Sequence, residues 1–353
     1  MSQTILVTGG LGFIGSHFIR LLLRDRPWTR VVNLDKMTYA GNPDNLSEVG
    51  EDANYTHVLG DITDPETVER VLSEERPGAI VNFAAESHVD RSIMSSAPFI
   101  QTNVQGVQVL LDTARRFQIE RFVQISTDEV YGDIAAGSLP PSEEATLRPS
   151  NPYSASKAAA DLLCLSYHRT YRFPVLVVRS SNNYGPNQHP EKFIPLMIRS
   201  AQNGDTLPIY GDGKQVRDWM YVEDNAKAIL CVVENGKVGG IYNAGAGEGH
   251  ENLDVLSLIC KFLSQETGRD LASFSNGMKF VEDRPGHDRR YAMDVQRTQQ
   301  ELGWSPVVSL GQGLRHTIQW YLSHPNWVER AISGEYQNYY DAVYARSWDR
   351  TSG

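Results

Sequence analysis

Two adjacent acids, Asp128 and Glu129, follow an apolar run in the stretch QISTDEVYG. Two neighbouring carboxylates repel each other when both are ionised, so a buried pair favours one protonated and one charged member. Such a pair can supply a general acid and a general base to one substrate. A solvated turn would also hold two acids at little cost, and adjacency alone does not say which acid holds the proton.

The two acids constrain the backbone that carries them. In an extended strand, Asp128 and Glu129 would point to opposite faces. Both can reach one substrate only if the strand stops near Ser126 and the chain turns there. The sequence therefore predicts a turn or short helix over Thr127–Tyr131, at the carboxyl edge of a sheet, where ligands bind in open α/β folds.

A tyrosine and a lysine, Tyr153 and Lys157, are spaced to share one face of a helix in NPYSASKAAADLL. A lysine beside a tyrosine favours the phenolate and lowers the pKa of the phenol. The phenolate can then remove a proton from a hydroxyl group while a hydride leaves the same carbon. Such pairs are also common on helix surfaces, so the interpretation depends on Thr127 at the end of the preceding strand and on a dinucleotide site.

A glycine-rich turn near the start predicts that site. Gly9, Gly12 and Gly15 lie in TILVTGGLGFIGSHF, between a β-rich run and a helical pattern. Glycines allow the backbone to approach a pyrophosphate, and the helix N-terminus supplies free N–H groups. Asp35 ends the next strand, where an acid accepts the ribose hydroxyls and repels a 2′-phosphate. NAD is therefore favoured over NADP, although the adjacent Lys36 weakens this preference; a glycine turn without a ligand is the alternative.

Strands and helices alternate through the first half of the chain. We predict strands at Thr4–Thr8, Arg30–Asp35, Tyr55–Leu59, Ala79–Phe83, Phe122–Ser126 and Pro174–Arg179. We predict helices at Phe13–Arg24, Pro65–Glu75, Pro98–Phe117 and Tyr153–Tyr171. This alternation predicts an α/β fold with a Rossmann-type, doubly wound parallel sheet. Asp61 and Ile62 follow the third strand, where the adenine would lie, although an aspartate in a turn explains Asp61 equally well.

The pattern changes beyond Ser180, where proline and glycine become frequent and short strands mix with helices. We expect a smaller C-terminal substrate-binding domain there. The run GGIYNAGAG predicts a strand that returns to the first sheet, so the domains interleave in sequence. The predicted boundaries are residues 1–180 with a return near 220–246 for the dinucleotide-binding domain, 181–219 and 247–335 for the substrate-binding domain, and 336–353 for a C-terminal tail.

Composition excludes several classes of function. The chain of 353 residues has a net charge of −10 and no Lys/Arg-rich stretch, which argues against a nucleic-acid or membrane surface. Cys164, Cys231 and Cys260 are widely spaced without a CxxC or a metal-ligand pattern, so we expect buried thiols in a reducing compartment and no metal. The N-terminus does not resemble a signal peptide, and no apolar run approaches the ~20 residues that span a bilayer. We therefore expect a cytoplasmic protein.

Eight motifs extend these local interpretations to most of the chain. They are TGGLGFIGSH, DKMTYAGN, AAESHVDRS, ISTDEVYG, NPYSASKA, SNNYGPNQHPEKFIP, PIYGDGKQVRDWMYVEDNA and DRPGHDRRYAMD. Together they resemble the extended short-chain dehydrogenase/reductases, and within that family they are most similar to the nucleotide-sugar 4,6-dehydratases. The matching motifs span roughly residues 4 to 294.

The resemblance implies a hydro-lyase with tightly bound NAD. Tyr153 would act as the base that permits oxidation at sugar C4, with Thr127 as its hydrogen-bond partner and Lys157 as support. Glu129 would remove the C5 proton, and Asp128 would protonate the departing 6-hydroxyl. Hydride would return to C6 to give a 4-keto-6-deoxy sugar.

The resemblance also implies two sets of binding residues. The cofactor set is Gly9, Gly12, Phe13, Ile14, Gly15, Asp35, Lys36, Asp61, Ile62, Ala84, Ala85, Thr102, Tyr153, Lys157 and Asn183. The substrate set is Ser87, Thr127, Asn182, Lys192, Phe193, Pro208, Ile209, Tyr210, Arg217, Asn252, Arg284 and His287. Arginine and lysine suit a pyrophosphate, which arginine can bind through two hydrogen bonds. Any one of these arginines could instead belong to a solvated surface, and His88 and His189 receive no role.

Close relatives leave alternatives open. Sugar 4-epimerases share the tyrosine and lysine but have small or neutral residues in place of Asp128 and Glu129. UDP-glucuronate decarboxylases have Ser-Glu there, so Thr-Asp-Glu points to dehydration. A non-catalytic NAD-sensing protein of this fold would usually lack the tyrosine or the lysine.

The resemblance favours dTDP-glucose as the substrate, with UDP-glucose as the alternative, because the two nucleosides differ by a single methyl group. It also implies a homodimer in which the helices over Pro98–Phe117 and Tyr153–Tyr171 form a four-helix interface.

Overall fold

A seven-stranded sheet forms the centre of the computed structural model, which describes residues 4–332. The predicted tail at 336–353, and the last residues of the predicted second domain, lie outside the described residues. Within residues 4–332 the strands are β1 (Thr4–Thr8), β2 (Arg30–Asp35), β3 (Tyr55–Leu59), β4 (Ala79–Asn82), β5 (Arg121–Thr127), β6 (Val175–Ser180), β7 (Asn182–Tyr184), β8 (Leu207–Tyr210), β9 (Val216–Tyr221), β10 (Ile241–Ala244), β11 (Gly249–Glu251) and β12 (Met278–Val281).

Helices connect these strands and cover the sheet. In the same part of the chain they are α1 (Phe13–Asp25), α2 (Pro65–Glu75), α3 (Val89–Met94), α4 (Ala97–Ile100), α5 (Val107–Arg116), α6 (Pro152–Tyr171), α7 (Phe193–Asn203), α8 (Val222–Asn235), α9 (Asn252–Thr267), α10 (Ala272–Ser275), α11 (Gln296–Leu302), α12 (Leu310–Ser323) and α13 (Pro325–Ala331). Short 3₁₀ segments occur at Pro43–Val49 and Asp128–Tyr131. No helix of the described residues is long and apolar enough to cross a membrane.

The strand order of the large sheet is β3-β2-β1-β4-β5-β6-β10, and all neighbouring strands are parallel. The predicted Rossmann-type α/β fold is confirmed. The predicted bounds of β1, β2 and β3 match the structure, and those of β4, β5 and β6 differ by a residue at one or both ends. Strand β10 pairs with β6 at the edge of the sheet, although the first segment of the second lobe and α8 separate them in sequence.

Both faces of this sheet are buried, as a parallel sheet requires. Ile5 and Val7 of β1 pack on one face with residues of α1 and α8, whereas Leu6 between them packs on the other face with residues of α2, α5 and α6. Alternate residues of one strand therefore belong to two separate cores. This double burial explains why the strands appear in the sequence as short, continuous apolar runs.

The second lobe has a core of its own. Helices α7, α9, α12 and α13 contribute to it, together with residues of β8 and β9. Two small sheets lie in this lobe, with strand orders β11-β9-β7 and β12-β8. Aromatic rings pack against one another near the end of the described chain, where Trp320 meets Tyr321 and Trp327 edge to face at 5.0 and 4.9 Å.

The helix predicted over Pro98–Phe117 is interrupted. Helices α4 and α5 flank a π-helical turn at Gln101–Gly106. A π turn accommodates an extra residue and redirects the side chains around it. Asn103 in this turn accepts a hydrogen bond from the backbone N–H of Glu86 at 2.8 Å and donates one to its carbonyl at 2.9 Å. The turn therefore ties the helix to the loop after β4.

The three cysteines differ in burial. Cys164 and Cys260 are buried, but Cys231 on α8 is partly exposed, so the prediction that all three thiols are buried is wrong for Cys231. This thiol lies near the surface ion pair of Arg26 and Glu234, whose charged atoms are 2.6 Å apart. A helix surrounded by solvent on one side leaves residues at the border of its apolar stripe half-exposed.

Candidate active site

The chain turns sharply where β5 ends. Thr127 is the last residue of the strand, and a 3₁₀ turn follows at Asp128–Tyr131, so the predicted change of direction is confirmed. The Thr127 hydroxyl caps this turn, because its Oγ1 accepts a hydrogen bond from the backbone N–H of Glu129 at 3.3 Å. The same hydroxyl donates to Asp128 Oδ1 at 3.2 Å.

Asp128 and Glu129 are both buried in this turn. Burial raises the pKa of Asp128 well above its ordinary value, and the nearby charges of Glu129 and Asp218 raise it further. The other Asp128 oxygen, Oδ2, has no hydrogen-bond partner among residues 4–332. These surroundings favour the protonated form of the carboxyl group, which can then act as a proton donor.

Helix α6 carries Tyr153 and Lys157. It begins with a capping box in which the Asn151 side chain accepts the backbone N–H of Ser154 at 2.9 Å, and Pro152 occupies the first turn. This start places Tyr153 in the first turn of the helix and Lys157 one turn later, so both side chains enter the cleft at the edge of the sheet.

The protonation of Tyr153 differs from the prediction. Burial raises the pKa of Tyr153, the charge of Glu129 raises it further, and a hydrogen bond with Thr127 acts in the opposite direction. The pKa of Tyr153 is therefore raised overall, whereas the spacing of Tyr153 and Lys157 predicted a lowered one. The Lys157 ammonium instead donates to the carbonyl of Ile125 at 2.5 Å, and burial lowers its own pKa to about 8.

One cleft contains every residue predicted to bind the cofactor. It has a volume of about 1530 Å³ and lies at the carboxyl edge of the large sheet. Its walls include the following predicted residues: Gly9, Gly12, Phe13, Ile14, Gly15, Asp35, Lys36, Asp61, Ile62, Ala84, Ala85, Thr102, Tyr153, Lys157 and Asn183. Thr127 and Glu129 line the same cleft. Only glycine suits the turn at Gly9, because its φ is +71° and a Cβ there would lie 2.6 Å from the Ala84 nitrogen. The turn therefore presents backbone without a side chain at this residue, which is what close approach of a pyrophosphate requires.

The ribose end of the cleft is set by Asp35. Its carboxylate accepts hydrogen bonds from the backbone N–H groups of Leu11 at 3.0 Å and Met37 at 2.8 Å, which fixes it at the end of β2. The Lys36 ammonium lies 3.3 Å from Asp61 Oδ2. Because this lysine is paired with an acid, it offers less attraction to a 2′-phosphate than an unpaired lysine would.

A second cleft opens from the first and contains the predicted substrate residues apart from Thr127. Its volume is about 1100 Å³. These residues are Ser87, Asn182, Lys192, Phe193, Pro208, Ile209, Tyr210, Arg217, Asn252, Arg284 and His287. Glu129 lines both clefts, so it lies at their junction.

Basic side chains cluster in this second cleft. Arg217 is buried and donates to the carbonyls of Val216 at 2.8 Å and Asp288 at 2.9 Å. The Arg284 guanidinium donates to Asp90 Oδ1 at 2.9 Å. Arg284 is only partly buried. Guanidinium groups held in this way by hydrogen bonds suit an anionic ligand such as a diphosphate.

His287 differs from the other basic residues because its imidazole is neutral. Burial, together with the charge of Arg284, lowers the pKa of His287 to about 4. Its Nδ1 lies 2.6 Å from Asp283 Oδ1, so the single N–H of the neutral ring points to that carboxylate. The other ring nitrogen, Nε2, can therefore only accept a hydrogen bond, and His287 carries no positive charge at neutral pH.

Sequence reasoning missed Tyr291 and Asp288, although both lie in the motif DRPGHDRRYAMD. The Tyr291 hydroxyl donates to Asp288 Oδ2 at 2.8 Å and lies 3.4 Å from Glu129 Oε2. The Arg217 guanidinium stacks on the Tyr291 ring at 4.2 Å. The motif itself was the available signal, but only the tertiary contact shows that Tyr291 reaches the acid pair.

A second unassigned cluster surrounds Glu191 between the two clefts. Glu191 Oε1 accepts the hydroxyl of Tyr39 at 3.1 Å, and its Oε2 lies 3.7 Å from His88, 3.8 Å from His189 and 3.9 Å from Arg91. Both histidines without a predicted role belong to this cluster. Across residues 4–332, no group of His, Cys, Asp and Glu side chains is arranged to hold a metal ion.

The close approach at Gly9 gives a testable prediction. We expect Gly9→Ala to reduce the amount of NAD that copurifies at least about tenfold, because the new methyl group would clash with the backbone of Ala84. The measurement is the NAD released by heat from a known amount of protein. Gly137→Ala is the matched control, since Gly137 has a φ of +80° but a Cβ there would meet no described atom within 4 Å. Equal NAD in the two variants would contradict the prediction.

Comparisons with known proteins agree with this geometry. The dTDP-glucose 4,6-dehydratase of Shigella flexneri is 45% identical over 357 aligned residues, which cover 96% of this chain and 98% of the relative. A crystal structure of dTDP-glucose 4,6-dehydratase from Streptomyces venezuelae, solved with NAD bound, has 45% identity and a TM-score of 0.87, with 93% of this chain and 100% of that chain covered. The corresponding enzyme of Bacillus anthracis in complex with NAD has 41% identity and a TM-score of 0.86, with 94% and 100% covered.

The predicted resemblance to nucleotide-sugar 4,6-dehydratases is confirmed by these relatives. A family model described as GDP-mannose 4,6 dehydratase matches residues 6–317, which is most of the chain. The chain therefore belongs to the GDP-mannose 4,6 dehydratase family.

Proposed function

We propose that this chain is a hydro-lyase that converts dTDP-glucose to dTDP-4-keto-6-deoxyglucose with bound NAD. The observation that carries the proposal is the buried pair Asp128 and Glu129 at the junction of a dinucleotide cleft and a basic cleft. An epimerase or a simple dehydrogenase has no use for a second acid and base beside its Tyr–Lys pair. A dehydratase requires both.

Tyr153, Thr127 and Lys157 carry the oxidation at C4 in this proposal. Tyr153 accepts the proton of the 4-hydroxyl, and Thr127 stabilises the phenolate through its hydrogen bond. Because burial and Glu129 oppose the phenolate, the site needs added positive charge before Tyr153 can act as a base. NAD⁺, when bound, supplies the hydride acceptor and a positive charge. Lys157 contributes further positive charge near the cofactor.

Asp128 and Glu129 carry the loss of water. The 4-ketone makes the C5 proton acidic, Glu129 accepts that proton, and Asp128 gives its own proton to the departing 6-hydroxyl. The raised pKa of Asp128 supports its role as the acid. The contact between the Tyr291 hydroxyl and Glu129 supports a further role for Tyr291 in orienting the base.

The second cleft would hold the nucleoside diphosphate. Arg217, Arg284 and Lys192 would face the diphosphate, and the Nε2 of His287 would accept a hydrogen bond from a hydroxyl group of the nucleotide sugar. Thymidine is preferred over uridine in this proposal because apolar side chains line the same cleft, namely Leu196, Met197, Leu253 and Leu256. A single methyl group in such a pocket is worth about 1–3 kcal/mol, so UDP-glucose would be a poorer substrate.

The domain boundaries, assembly and location of the chain are also proposals. Residues 1–180 with the return near 220–246 would form the NAD-binding domain, and 181–219 with 247–335 the substrate-binding domain. Exposed apolar side chains on α4 and α6, among them Ile100, Leu162 and Tyr171, support a homodimer through these helices. Three free thiols support a reducing compartment such as the cytoplasm.

An isotope experiment tests the reaction. The protein as purified, without added NAD, should convert dTDP-glucose deuterated at C4 into a 4-keto-6-deoxy product with deuterium at C6, because the same hydride leaves C4 and returns to C6. Mass spectrometry and NMR of the product measure this transfer. A product with its 6-hydroxyl intact would identify an epimerase, and no turnover of any dTDP-, UDP-, GDP- or CDP-hexose would refute the proposal.

Removal of both acids should separate the two halves of the reaction. We expect Asp128→Asn combined with Glu129→Gln to slow water loss at least about a hundredfold, the usual contribution of general acid–base catalysis, while C4 oxidation still proceeds. Absorbance of the reduced cofactor reports oxidation, and product NMR reports dehydration. Glu144→Gln, at an exposed acid that pairs with Arg297, is the control. Dehydration at the wild-type rate in the double variant would show that the role assignment is wrong.

A surface charge tests the proposed dimer. Leu162 on α6 is 58% exposed. Leu162→Glu should convert the dimer to a monomer, because each subunit would then bring one unpaired carboxylate into an apolar interface. Light scattering coupled to gel filtration measures the mass. Leu139→Glu, at a site 89% exposed and outside these helices, should leave the mass unchanged. A wild-type monomer, or a dimer that survives Leu162→Glu, would rule out this interface.

A further inference from the structure

Helix α6 carries a buried acid one turn beyond Lys157. Asp161 follows Lys157 by four residues, so the two side chains share a face of the helix with Cβ atoms about 5–6 Å apart. Asp161 is completely buried, and Lys157 is 4% exposed. None of the proposed steps gives Asp161 a direct part in the reaction, yet burial of an ionised carboxyl is costly unless it is paired.

Arg179 of β6 fixes one side of this acid. The Arg179 Nε donates to Asp161 Oδ2 at 2.9 Å, and both side chains are buried. The other oxygen, Oδ1, has no hydrogen-bond partner among the described residues. Arg179 therefore holds one carboxylate oxygen and leaves the other without a hydrogen bond within the described part of the chain.

The same arginine reaches the turn that carries the acid pair. Arg179 donates to the Tyr131 hydroxyl at 2.9 Å and to the Glu143 carbonyl at 3.3 Å. The Tyr131 hydroxyl in turn donates to Asn243 Oδ1 of β10 at 2.7 Å. Because Tyr131 is the last residue of the 3₁₀ turn at Asp128–Tyr131, one buried network joins the helix of Lys157 to the turn of the two acids.

Lys157 has little else to support its charge. Its hydrogen bond goes to the neutral carbonyl of Ile125. Burial lowers the pKa of Lys157, and Asp161 is the main group that raises it. Burial also raises the pKa of Cys164 well above its ordinary value, so this thiol is neutral and supplies no negative charge.

We propose that Asp161, fixed by Arg179, is a positioning residue whose negative charge, on the same face of α6, keeps Lys157 charged beside the cofactor cleft. This inference rests on the proposed function, in which a charged Lys157 supports the oxidation by Tyr153. Asp161 acts through Lys157 and touches neither substrate nor cofactor.

Lysine NMR on the NAD-bound protein tests the inference directly. The chain has eight lysines, so selective ¹³Cε labelling gives a short set of signals, and a Lys157→Arg variant assigns that of Lys157. We expect Asp161→Asn to lower the pH midpoint of the Lys157 signal by at least about one unit, because the negative charge is removed while the side-chain shape is kept. The alkaline limb of turnover should move to lower pH by the same amount.

Two further variants keep the test decisive. Asp161→Asn combined with Arg179→Gln removes both charges and leaves a neutral hydrogen-bonded pair, so it serves if the single variant does not fold. Because loss of the Arg179 cation offsets part of the loss of the Asp161 anion, the double variant should lower the midpoint by less than the single variant. Asp112→Asn, at an acid on α5 that bonds Tyr167, should leave the midpoint unchanged. A Lys157 midpoint that matches wild type in the Asp161 variants would overturn the inference.

The two proposals fail separately. The NMR titration needs no turnover, so a shifted midpoint in a wild-type-like fold that lacks dehydratase activity would overturn the proposed function alone. Full wild-type activity together with an unshifted midpoint would overturn the role of Asp161 alone.

Discussion

The burial of two adjacent carboxyl groups at the end of β5 is the constraint to which the rest of the site responds. A buried charge is tolerated only when it is paired or hydrogen-bonded, and two adjacent buried negative charges also repel each other. The protonated form of Asp128 is therefore favoured. Glu129 faces the Tyr291 hydroxyl and lies near the positive charge of the buried Arg217 guanidinium. The second lobe contributes both Tyr291 and Arg217, so it supplies compensation as well as a binding surface.

The charge of Glu129 also links the two halves of the proposed reaction. It opposes the Tyr153 phenolate during oxidation at C4, because the two groups share one buried site. When Glu129 accepts the C5 proton, that opposition disappears while the hydride is being returned. The Glu129 carboxylate therefore makes the oxidation step depend on positive charge near Tyr153. Once Glu129 is protonated during elimination, it no longer repels a negative charge on Tyr153. A site with a neutral residue in place of Glu129 would lack this coupling.

Local sequence patterns predicted the sheet well because the physics of its strands is local. β1 and β2 are buried on both faces, and their apolar runs end where the turns begin. The edge strand β3 is only partly buried. The π turn at Gln101–Gly106 was not predictable in this way, because it depends on the packing of Gly106 against Ile62 and on bonds from Asn103 to a distant loop. Motifs located the site residues for a different reason, since each glycine or acid serves a ligand that the whole family shares.

The charges and pKa values of the site were the features that the sequence predicted least well. The spacing of Tyr153 and Lys157 correctly placed both in one cleft, but it could not show that Glu129 would dominate the charge near the phenol. Nor could it show the contacts of Glu191 with Tyr39 and the two histidines, which come from three separate loops. Spacing along one helix fixes neighbours on that helix, whereas a pKa depends on every element that packs around the group.

The position of Lys157 shows how far such dependence extends. Its hydrogen-bond acceptor, the Ile125 carbonyl, also accepts the side-chain amide of Gln124 at 3.1 Å. That amide accepts from Asn82 on β4 at 2.8 Å, and Asn82 accepts from the Thr8 hydroxyl on β1 at 2.5 Å. Buried polar groups need partners, and here they find them in a row across three strands. Lys157 is therefore anchored to the same sheet that carries the glycine loop. This hydrogen-bond chain explains how a side chain on helix α6 is held at a fixed position beside the cofactor cleft.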